Sequence, residues 1–312
     1  MINRYENEKR TEIRRRTYLL AGLVGGAAIA GVAILNLDNT PGKHPIDALR
    51  DRAEFSVEPA WTQDFAATKD TRLDTGIWHY ETDYRVPGYN NEKQAYTSQN
   101  KNVRIEPGVG LVIEAHRADY TYPDDPDKQS FDYTSGRIDT RGAFTFEYGK
   151  VEARMKLPEG AGTWPAFWLL SDNEIHTNAL AAPSDDPRAY MQNGEVDIME
   201  HYGHSPGIVE GTVHTYAQSS ANEITIPDAS KAFHTYGIEI SRDSITWTVD
   251  DTPYHSFDKT SDDSNHWPFG NGNQLYVIFN LAMGGTGGGE IQDEHGPWRM
   301  EVQNVSYYPL VK

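Results

Sequence analysis

Cysteine is absent from the 312-residue sequence, and basic residues are scarce. Without cysteine, disulfide bonds, thiolate catalysis and cysteine-ligated zinc sites are excluded. The chain has 28 lysines and arginines against 46 acids, which gives a net charge of -18. A surface this acidic repels nucleic acid and anionic membranes, so we expect neither as a partner. It also suits a protein that stays soluble in strong salt, although moderate acidity is common among extracellular proteins.

Only one long apolar run is present, from Tyr18 to Leu35, and Arg14 to Arg16 precede it. The run is just long enough to cross a bilayer. The stretch RRTYL, which begins at Arg15, resembles a twin-arginine export signal. Residues 1–37 are therefore expected to be a cleaved signal or a retained membrane anchor. Either role places the rest of the chain outside the cell, secreted or held at the outer face of the cytoplasmic membrane by this segment alone.

Residues 38–60 contain three prolines and mixed charges and are predicted to be a linker. After residue 60 the sequence shows no convincing long amphipathic helix. Short segments with alternating apolar and polar residues predict strands instead, and Asp250-Asp251 within one of them fits a hairpin turn. The predicted strands are 110–117, 144–157, 210–217, 233–241, 244–257, 274–283 and 300–310. Residues 61–312 are therefore expected to form an all-β antiparallel sandwich of the larger, jelly-roll type.

Residues 193–203, NGEVDIMEHYG, place three acids in an apolar, strand-forming stretch. Alternation puts Glu195 and Asp197 on one face of a strand but turns Glu200 toward the apolar side. Burying an unpaired carboxylate there would be costly. One extra residue at Ile198–Met199, a β-bulge, would return Glu200 to the face of the other two acids. We therefore expect three acids in a row on one open face.

Such a row suits a retaining glycosidase, which needs two nearby carboxyl groups in different protonation states. Glu195 would be ionised and act as the nucleophile. Glu200 would be protonated and act as the acid/base, with its pKa raised by neighbouring negative charge. Asp197, between them, would orient Glu195. A solvated acidic strand and a calcium site are the alternatives that the spacing leaves open.

The motif GEVDIME resembles the signature of glycoside hydrolase family 16 in its bulged, laminarinase-like form. Further matches follow in the family's order over roughly residues 60–310. They are NNEKQAYT (90–97), SGRIDTRGAFTFEYGKVEARMKLPEGAGTWPAFWLL (135–170), EGTVHT (210–215), FHTYGIEIS (233–241), WPFGNGNQLYVIFNLAMGG (267–285) and RMEVQNVSYYP (299–309). The resemblance implies a concanavalin-like β-jelly roll of two antiparallel sheets with a concave substrate cleft. It also implies a retaining endo-hydrolase of β-linked polysaccharide.

Five matched positions are candidates for substrate binding. Trp164 and Trp168 share one strand face and offer flat rings for the apolar faces of sugars, although both could instead be core residues. The guanidinium of Arg137 could bind sugar hydroxyls or a catalytic carboxylate, with a surface ion pair as the alternative. Asn90 could bind hydroxyls or shape a turn. His214 could bond to the acid row or be structural. The resemblance favours the cleft for these positions.

Departures from the family pattern bear on substrate and metal. The segment before the catalytic strand lacks the usual tryptophan-proline pair, and Thr286 interrupts the glycine-rich stretch 284–289 where relatives often carry tryptophan. The expected substrate is a β-1,3-glucan of the laminarin type, with mixed-linkage glucan and marine galactan as alternatives. No cofactor is expected. Gln303 stands where relatives often carry an aspartate that supports a structural calcium, so calcium is left open.

A non-catalytic carbohydrate-binding protein on the same fold is the alternative from a different class. The presence of all three acids, Glu195, Asp197 and Glu200, argues against it. Transfer of the sugar to another sugar rather than to water uses the same carboxylates and is also left open. A monomer is expected.

Overall fold

The structure, a computed structural model, describes residues 53–84, 90–173, 189–292, 294 and 296–311. The expected signal or anchor at residues 1–37 lies outside this part of the chain, as does most of the expected linker. Within the described ranges no helix is both long enough and apolar enough to cross a membrane.

The described residues form eighteen strands, and helix among them is confined to short turns. The strands are β1 Trp61–Asp64, β2 His79–Tyr80, β3 Gln94–Tyr96, β4 Val103–Glu106, β5 Gly110–Thr121, β6 Ser130–Ser135, β7 Arg137–Asp139, β8 Thr145–Phe146, β9 Gly149–Lys156, β10 Thr163–Ser171, β11 Glu195–His201, β12 Ile208–His214, β13 Ser219–Thr225, β14 His234–Ile240, β15 Ser244–Val249, β16 Thr252–Asp258, β17 Leu275–Met283 and β18 Trp298–Pro309. A 3₁₀ turn spans Ala189–Asn193, and one helical turn, α1, spans Gly285–Gly288.

Two sheets form a sandwich. The ten-stranded sheet has the order β16-β15-β14-β9-β18-β5-β6-β3, with β1 beside β18 and β4 beside β5. The eight-stranded sheet has the order β13-β12-β11-β10-β17-β7-β2, with β8 beside β17. The pairs are antiparallel except for β3 with β6. The predicted jelly-roll sandwich is confirmed.

The core between the sheets is apolar and rich in aromatic rings. Its largest fully buried side chains include Trp78, Trp247, Phe167 and Phe279. The last two rings stack with centroids 4.8 Å apart, which joins β10 to β17 on the core side. Because these strands bury one face, the opposite face of the eight-stranded sheet is left to carry polar residues.

The seven predicted strand segments are all strands in the structure. Segment 244–257 forms the β15–β16 hairpin, and its turn residues Asp250 and Asp251 have φ values of 48° and 59°. Positive φ at both central positions matches the right-handed twist of the flanking strands. The short strands β1 to β4 and β7, together with β6 and β13, lie outside the predicted segments. The edge strand β13 reads SSANEIT and is largely exposed, so it lacks the apolar alternation that marks a strand.

The folded domain begins before Trp61. The amide of Ser56 donates to the carbonyl of Pro309 at 2.8 Å, and that of Ala60 donates to Tyr307 at 2.9 Å. The end of the expected linker, 54–60, therefore runs along the end of β18 in the manner of an added edge segment.

Charges of alternating sign cover part of the outer face of the ten-stranded sheet. Arg104 and Arg299 both bind Glu106, each with a nitrogen–oxygen distance of 2.7 Å. Arg299 also binds Glu301 at 2.7 Å, and Lys156 binds Glu301 at 2.9 Å. The side chains in these pairs are partly buried, and Glu301 is buried. Together they place bases among the acids that dominate the surface.

Candidate active site

A β-bulge in β11 places the three acids of the central motif on one face. Along β10 the register skips Ile198 between Asp197 and Met199, and along β12 the register is irregular between Asp197 and Glu200. Ile198 and Met199 consequently both point into the core, at 1% and 0% exposure. The predicted bulge is confirmed. It returns Glu200 to the open face that Glu195 occupies.

The bulge is fixed from the opposite sheet. Trp247 of β15 is fully buried, and its indole N–H donates to the backbone carbonyl of Asp197 at 2.8 Å. A Cβ atom at Gly211 on β12 would lie 2.4 Å from the same indole ring. Glycine at that position is therefore required for the tryptophan to reach across the core. The bond gives a partner to a carbonyl beside the irregular part of the ladder.

Glu200 lies among three polar side chains. The indole N–H of Trp164 donates to its Oε1 at 2.7 Å. The hydroxyl of Tyr202 lies 2.9 Å from Glu210 Oε1 and 3.4 Å from Glu200 Oε2. Glu210 sits directly opposite Glu200 in the β11–β12 pairing. A fourth carboxylate thus adjoins the predicted row and shares one hydroxyl with it.

Asp197 and Glu195 lie beside His214. The Nε2 of His214 is 3.3 Å from Asp197 Oδ2, and its Nδ1 is 2.7 Å from the Ser219 hydroxyl. Glu195 pairs directly with His214 across the strands. Asp197 is 4% exposed, whereas Glu195 is partly open to solvent. The buried aspartate therefore separates two accessible glutamates.

Burial and mutual repulsion raise the pKa of all three acids in the row. Burial is the main cause for each, and it raises the pKa of Glu195, Asp197 and Glu200 to about 8. The charge of Asp197 adds to the rise in the pKa of both glutamates. The row therefore retains protons at neutral pH and ionises one carboxyl at a time.

The surroundings of the two glutamates differ. His214 lowers the pKa of both glutamates, and Arg137 lowers the pKa of Glu195 alone. Near Glu200, the bond from Trp164 lowers the pKa and the charge of Glu210 raises it. Arg137 therefore favours ionised Glu195, and Glu210 favours protonated Glu200. This is the division of roles that a nucleophile and an acid require.

Trp168 and Arg137 lie on the same face, across β10, β17 and β7. The indole N–H of Trp168 donates to Asn280 Oδ1 at 2.6 Å, and Asn280 donates to the Tyr96 hydroxyl at 3.1 Å. The Arg137 guanidinium lies 4.8 Å from the centroid of the Trp168 ring. Its Nε is buried and has no hydrogen-bond partner among the described residues. A donor and an aromatic ring therefore adjoin the acid row.

Asn90 lies at the rim formed by the glycine-rich stretch rather than in the row. Its carbonyl accepts a bond from the amide of Thr286 at 2.9 Å, and its side-chain amide is 3.5 Å from Glu92 Oε1. A Cβ atom at Gly287 would lie 2.5 Å from the Trp164 ring. The backbone of the glycine-rich stretch therefore packs against the Trp164 ring, which donates to Glu200.

The side chains of Glu195, Asp197 and His214 could approach one cation, since their ligand atoms all lie within 4.8 Å of one another. Calcium prefers six to eight oxygen ligands, and this set offers two carboxylates and an imidazole. The side chain of Gln303, at the position relevant to structural calcium, accepts a bond from Arg154 at 2.9 Å. Neither the Glu195, Asp197 and His214 group nor the surroundings of Gln303 match a calcium cage.

Residues 90–303 match the family model for glycosyl hydrolases family 16. The chain belongs to this family. A family relative, the beta-glucanase of Rhodothermus marinus, is 37% identical over 247 residues, which cover 74% of this chain and 79% of that protein. The X-ray structure of the laminarinase from Rhodothermus marinus is 34% identical with a TM-score of 0.70, covering 83% of this chain and 99% of that one.

A third similar protein is SCLam, a non-specific endo-beta-1,3(4)-glucanase of the same family. Its crystal structure is 32% identical with a TM-score of 0.70, and the match covers 81% of this chain and 91% of that one. Together with the acid row, the family 16 match establishes a glycoside hydrolase.

Sequence reasoning missed Glu210, Tyr202, Asn280 and Trp247. The first two lie inside stretches that were recognised, but their role depends on which residue faces Glu200 across the sheet. Trp247 belongs to the other sheet, fifty residues from its partner Asp197. A tryptophan in an alternating strand signals only burial. No local pattern could have assigned these contacts.

Proposed function

We propose that the protein is a retaining endo-β-1,3-glucanase, which hydrolyses internal linkages of a glucan through a covalent glycosyl-enzyme. The observation that supports this most is the row of Glu195, Asp197 and Glu200 on one open face, with cations near the first and a carboxylate near the last. The similar proteins described as a beta-glucanase and a laminarinase support the substrate.

In the first step, Glu195 attacks the anomeric carbon and forms an ester with the sugar. The bond to the leaving oxygen breaks as Glu200 donates its proton to that oxygen. In the second step, Glu200 takes a proton from water, and the resulting hydroxide attacks the same carbon. The ester breaks and Glu195 is released ionised. Asp197 keeps Glu195 oriented in both steps, and His214 holds Asp197 in place.

Five further side chains are proposed to hold the glucan. Trp164 and Trp168 would present ring faces to sugar residues along the row, and the guanidinium of Arg137 would donate to hydroxyls. His214 would contact the sugar at the nucleophile. Asn90 would reach the chain from the rim. Aromatic faces match the apolar C–H faces of a sugar, and the polar groups fix its orientation.

The test is to replace each glutamate by its amide. Glu195→Gln and Glu200→Gln should each reduce hydrolysis of laminarin by about 10³-fold or more, because an amide neither attacks nor donates as a carboxyl does. The thermal unfolding temperature should not fall. Glu223→Gln, the same change on exposed β13, is the matched control and should keep full activity. Substantial activity in a folded variant of either catalytic glutamate would refute the assignment.

Retention itself is measurable. Proton NMR of the first products should show the β-anomer before mutarotation, since two displacements preserve configuration. Initial formation of the α-anomer would exclude a glycosyl-enzyme and would require a different role for Glu195.

Mixed-linkage glucan is a second candidate substrate, because SCLam is described as a non-specific endo-beta-1,3(4)-glucanase. Initial rates on laminarin, lichenan, agarose and carrageenan separate the possibilities. We expect the highest rate on laminarin and none on the two galactans.

We further propose that residues 1–37 direct export and that the enzyme works outside the cell as a monomer. The arginines before the apolar run and the net charge of -18 support export to a surface exposed to salt. Fractionation of cells that produce the full chain, with and without Arg15→Lys and Arg16→Lys, tests the route.

A further inference from the structure

A cavity of about 550 Å³ opens beside β2, at the edge of the eight-stranded sheet. Four tyrosines line it: Tyr80, Tyr84, Tyr120 and Tyr122. Tyr120 and Tyr122 meet edge to face, with ring centroids 5.2 Å apart. We call this space the edge cavity. None of the catalytic or substrate-binding positions discussed above belongs to its wall.

The edge cavity lies beyond Arg137, on the side of β7 away from β17, and its wall residue Glu81 interacts electrostatically with Arg137. Glu81 also donates its backbone N–H to the Arg137 carbonyl at 2.9 Å. Arg141 lies 4.0 Å from the Glu81 carboxylate and 5.8 Å from the ring centroid of Tyr276. Tyr276 in turn packs in a small cluster with Trp168. These contacts link Trp168, beside the row, to the cavity wall through Tyr276, Arg141 and Glu81.

The separation corresponds to several sugar residues. Four strand steps lead from β11 through β10, β17 and β7 to β2. At about 4.8 Å per step, the cavity lies roughly 19 Å from the acid row. A polysaccharide that crosses the strands from the row toward Arg137 would therefore arrive at the cavity.

Hydrogen bonds connect the wall of the edge cavity to Tyr96, and through Asn280 to Trp168. The Tyr122 hydroxyl accepts from the backbone N–H of Tyr96 at 2.6 Å and lies 3.0 Å from its carbonyl. The Tyr96 hydroxyl accepts from Asn280, which also holds Trp168. A site built in this way needs little ordering when a ligand binds.

The chemistry of the wall favours an uncharged sugar. Tyrosine rings offer apolar faces, and Thr82, Ser98 and Gln99 add exposed hydrogen-bonding groups. Among the described residues that line the cavity, none is basic, and three are acids. Sulfated or carboxylated chains would be repelled, whereas carboxylates accept bonds from neutral hydroxyls.

We propose that the edge cavity is a distal binding subsite for a neutral glucan chain, several residues from the bond that is cleaved. This proposal rests on the proposed function, because it assumes that the same chain occupies the row and the cavity. It predicts that long chains gain affinity from the cavity and that short ones do not.

The test measures binding of β-1,3-linked glucose hexamers and trimers to Glu195→Gln protein by calorimetry. In this background, Ser98→Trp fills the cavity from an exposed position, and Tyr120→Ala removes a ring from its wall. Each change should weaken hexamer binding about tenfold, roughly 1.4 kcal/mol, and leave trimer binding within about twofold. The matched control Ser256→Trp, at an exposed position of β16 on the opposite edge of the ten-stranded sheet from β6 and β3, should alter neither.

Unchanged hexamer affinity in both folded variants, or equal weakening of both ligands, would overturn the subsite. A sulfated galactan hexamer should not bind in the edge cavity. If it did bind, and Ser98→Trp abolished that binding, the argument that the acidic wall repels charged chains would be wrong. Failure of the proposed function is distinguishable, since it would appear as cleavage of the glucan by the Glu195→Gln protein itself.

Discussion

At the residue scale, the chemistry depends on which carboxyl of the site keeps its proton. Glu195, Asp197 and Glu200 share one row, and Glu210 adjoins it through the Tyr202 hydroxyl. Four acids in so small a volume cannot all ionise at neutral pH. The asymmetry arises from the neighbours, because Arg137 acts on Glu195 and the fourth carboxylate acts on Glu200.

Glu210 should therefore control the alkaline limit of activity. Its negative charge raises the pKa of Glu200, so Glu210→Gln should lower that pKa. The acid would then lose its proton at a lower pH. We expect the alkaline limb of kcat/KM to move down by roughly half to one pH unit. The acidic limb, which reports ionisation of the nucleophile, should move less.

The control for this shift is Glu223→Gln, because Glu223 pairs with Glu210 one strand further from the row. If the control has the same pH profile as the unmodified enzyme, the shift in Glu210→Gln comes from the location of Glu210 beside Glu200 and not from the change in net charge. An alkaline limb that stays in place or moves upward in Glu210→Gln would contradict the role of Glu210.

The three acids of the row could be predicted because their spacing and the cost of burying Glu200 are local properties of the motif. Glu210 and Tyr202 could not. Their influence depends on cross-strand register and on hydroxyl placement, which are set by the packed sheet. Arg137 and Trp168 were predicted individually, but the contact between ring and guanidinium required the geometry of three neighbouring strands.

At the element scale, one extra residue in β11 decides the site, and the sequence carries the signal for it. A strict alternation would bury Glu200, so a bulge was the only inexpensive solution. Hairpin β15–β16 was predictable for a similar reason, since Asp250-Asp251 favours a tight turn. Edge strand β13 was not, because exposed backbone pairing needs no apolar pattern.

The packing of α1 against β10 should matter for activity. A Cβ at Gly287 would press into the Trp164 ring, which holds Glu200 through its indole N–H. Gly287→Ala should therefore displace the ring and lower kcat, by about tenfold if that bond is lost. Steady-state kinetics and thermal unfolding of the variant provide the measurement.

Thr286→Ala, at the exposed neighbouring position in α1, is the control and should retain activity. If Gly287→Ala were folded and kept its full kcat, the contact between rim and tryptophan would have no catalytic importance.

At the scale of the whole molecule, negative charge dominates. Residues 1–16 hold six bases and three acids, which leaves 22 bases against 43 acids in the rest of the chain. Salt screens this repulsion, and molar salt reduces the screening length to about 3 Å. Between dilute buffer and molar sodium chloride, we expect the unfolding temperature to rise by roughly 3–5 °C, about 1–2 kcal/mol. Activity at the higher temperatures should rise with it.

The opposing contribution comes from the ion pairs around Arg299 on the outer face of the ten-stranded sheet, which salt weakens. Differential scanning calorimetry across a salt series measures the unfolding temperature. A parallel series in sucrose, which is uncharged, separates screening of charge repulsion from exclusion of solutes from the protein surface. A flat or falling unfolding temperature in salt would show that the acidic surface is not an adaptation to it.

The indole of Trp247 has a consequence for how the enzyme fails on heating. Its indole N–H reaches across the core to the carbonyl of Asp197, so the strand that carries the catalytic acids is held by the opposite sheet. Such a strand cannot loosen while its backing stays intact. Thermal inactivation and loss of the aromatic interior should consequently be a single event, with no temperature at which a folded but idle enzyme accumulates.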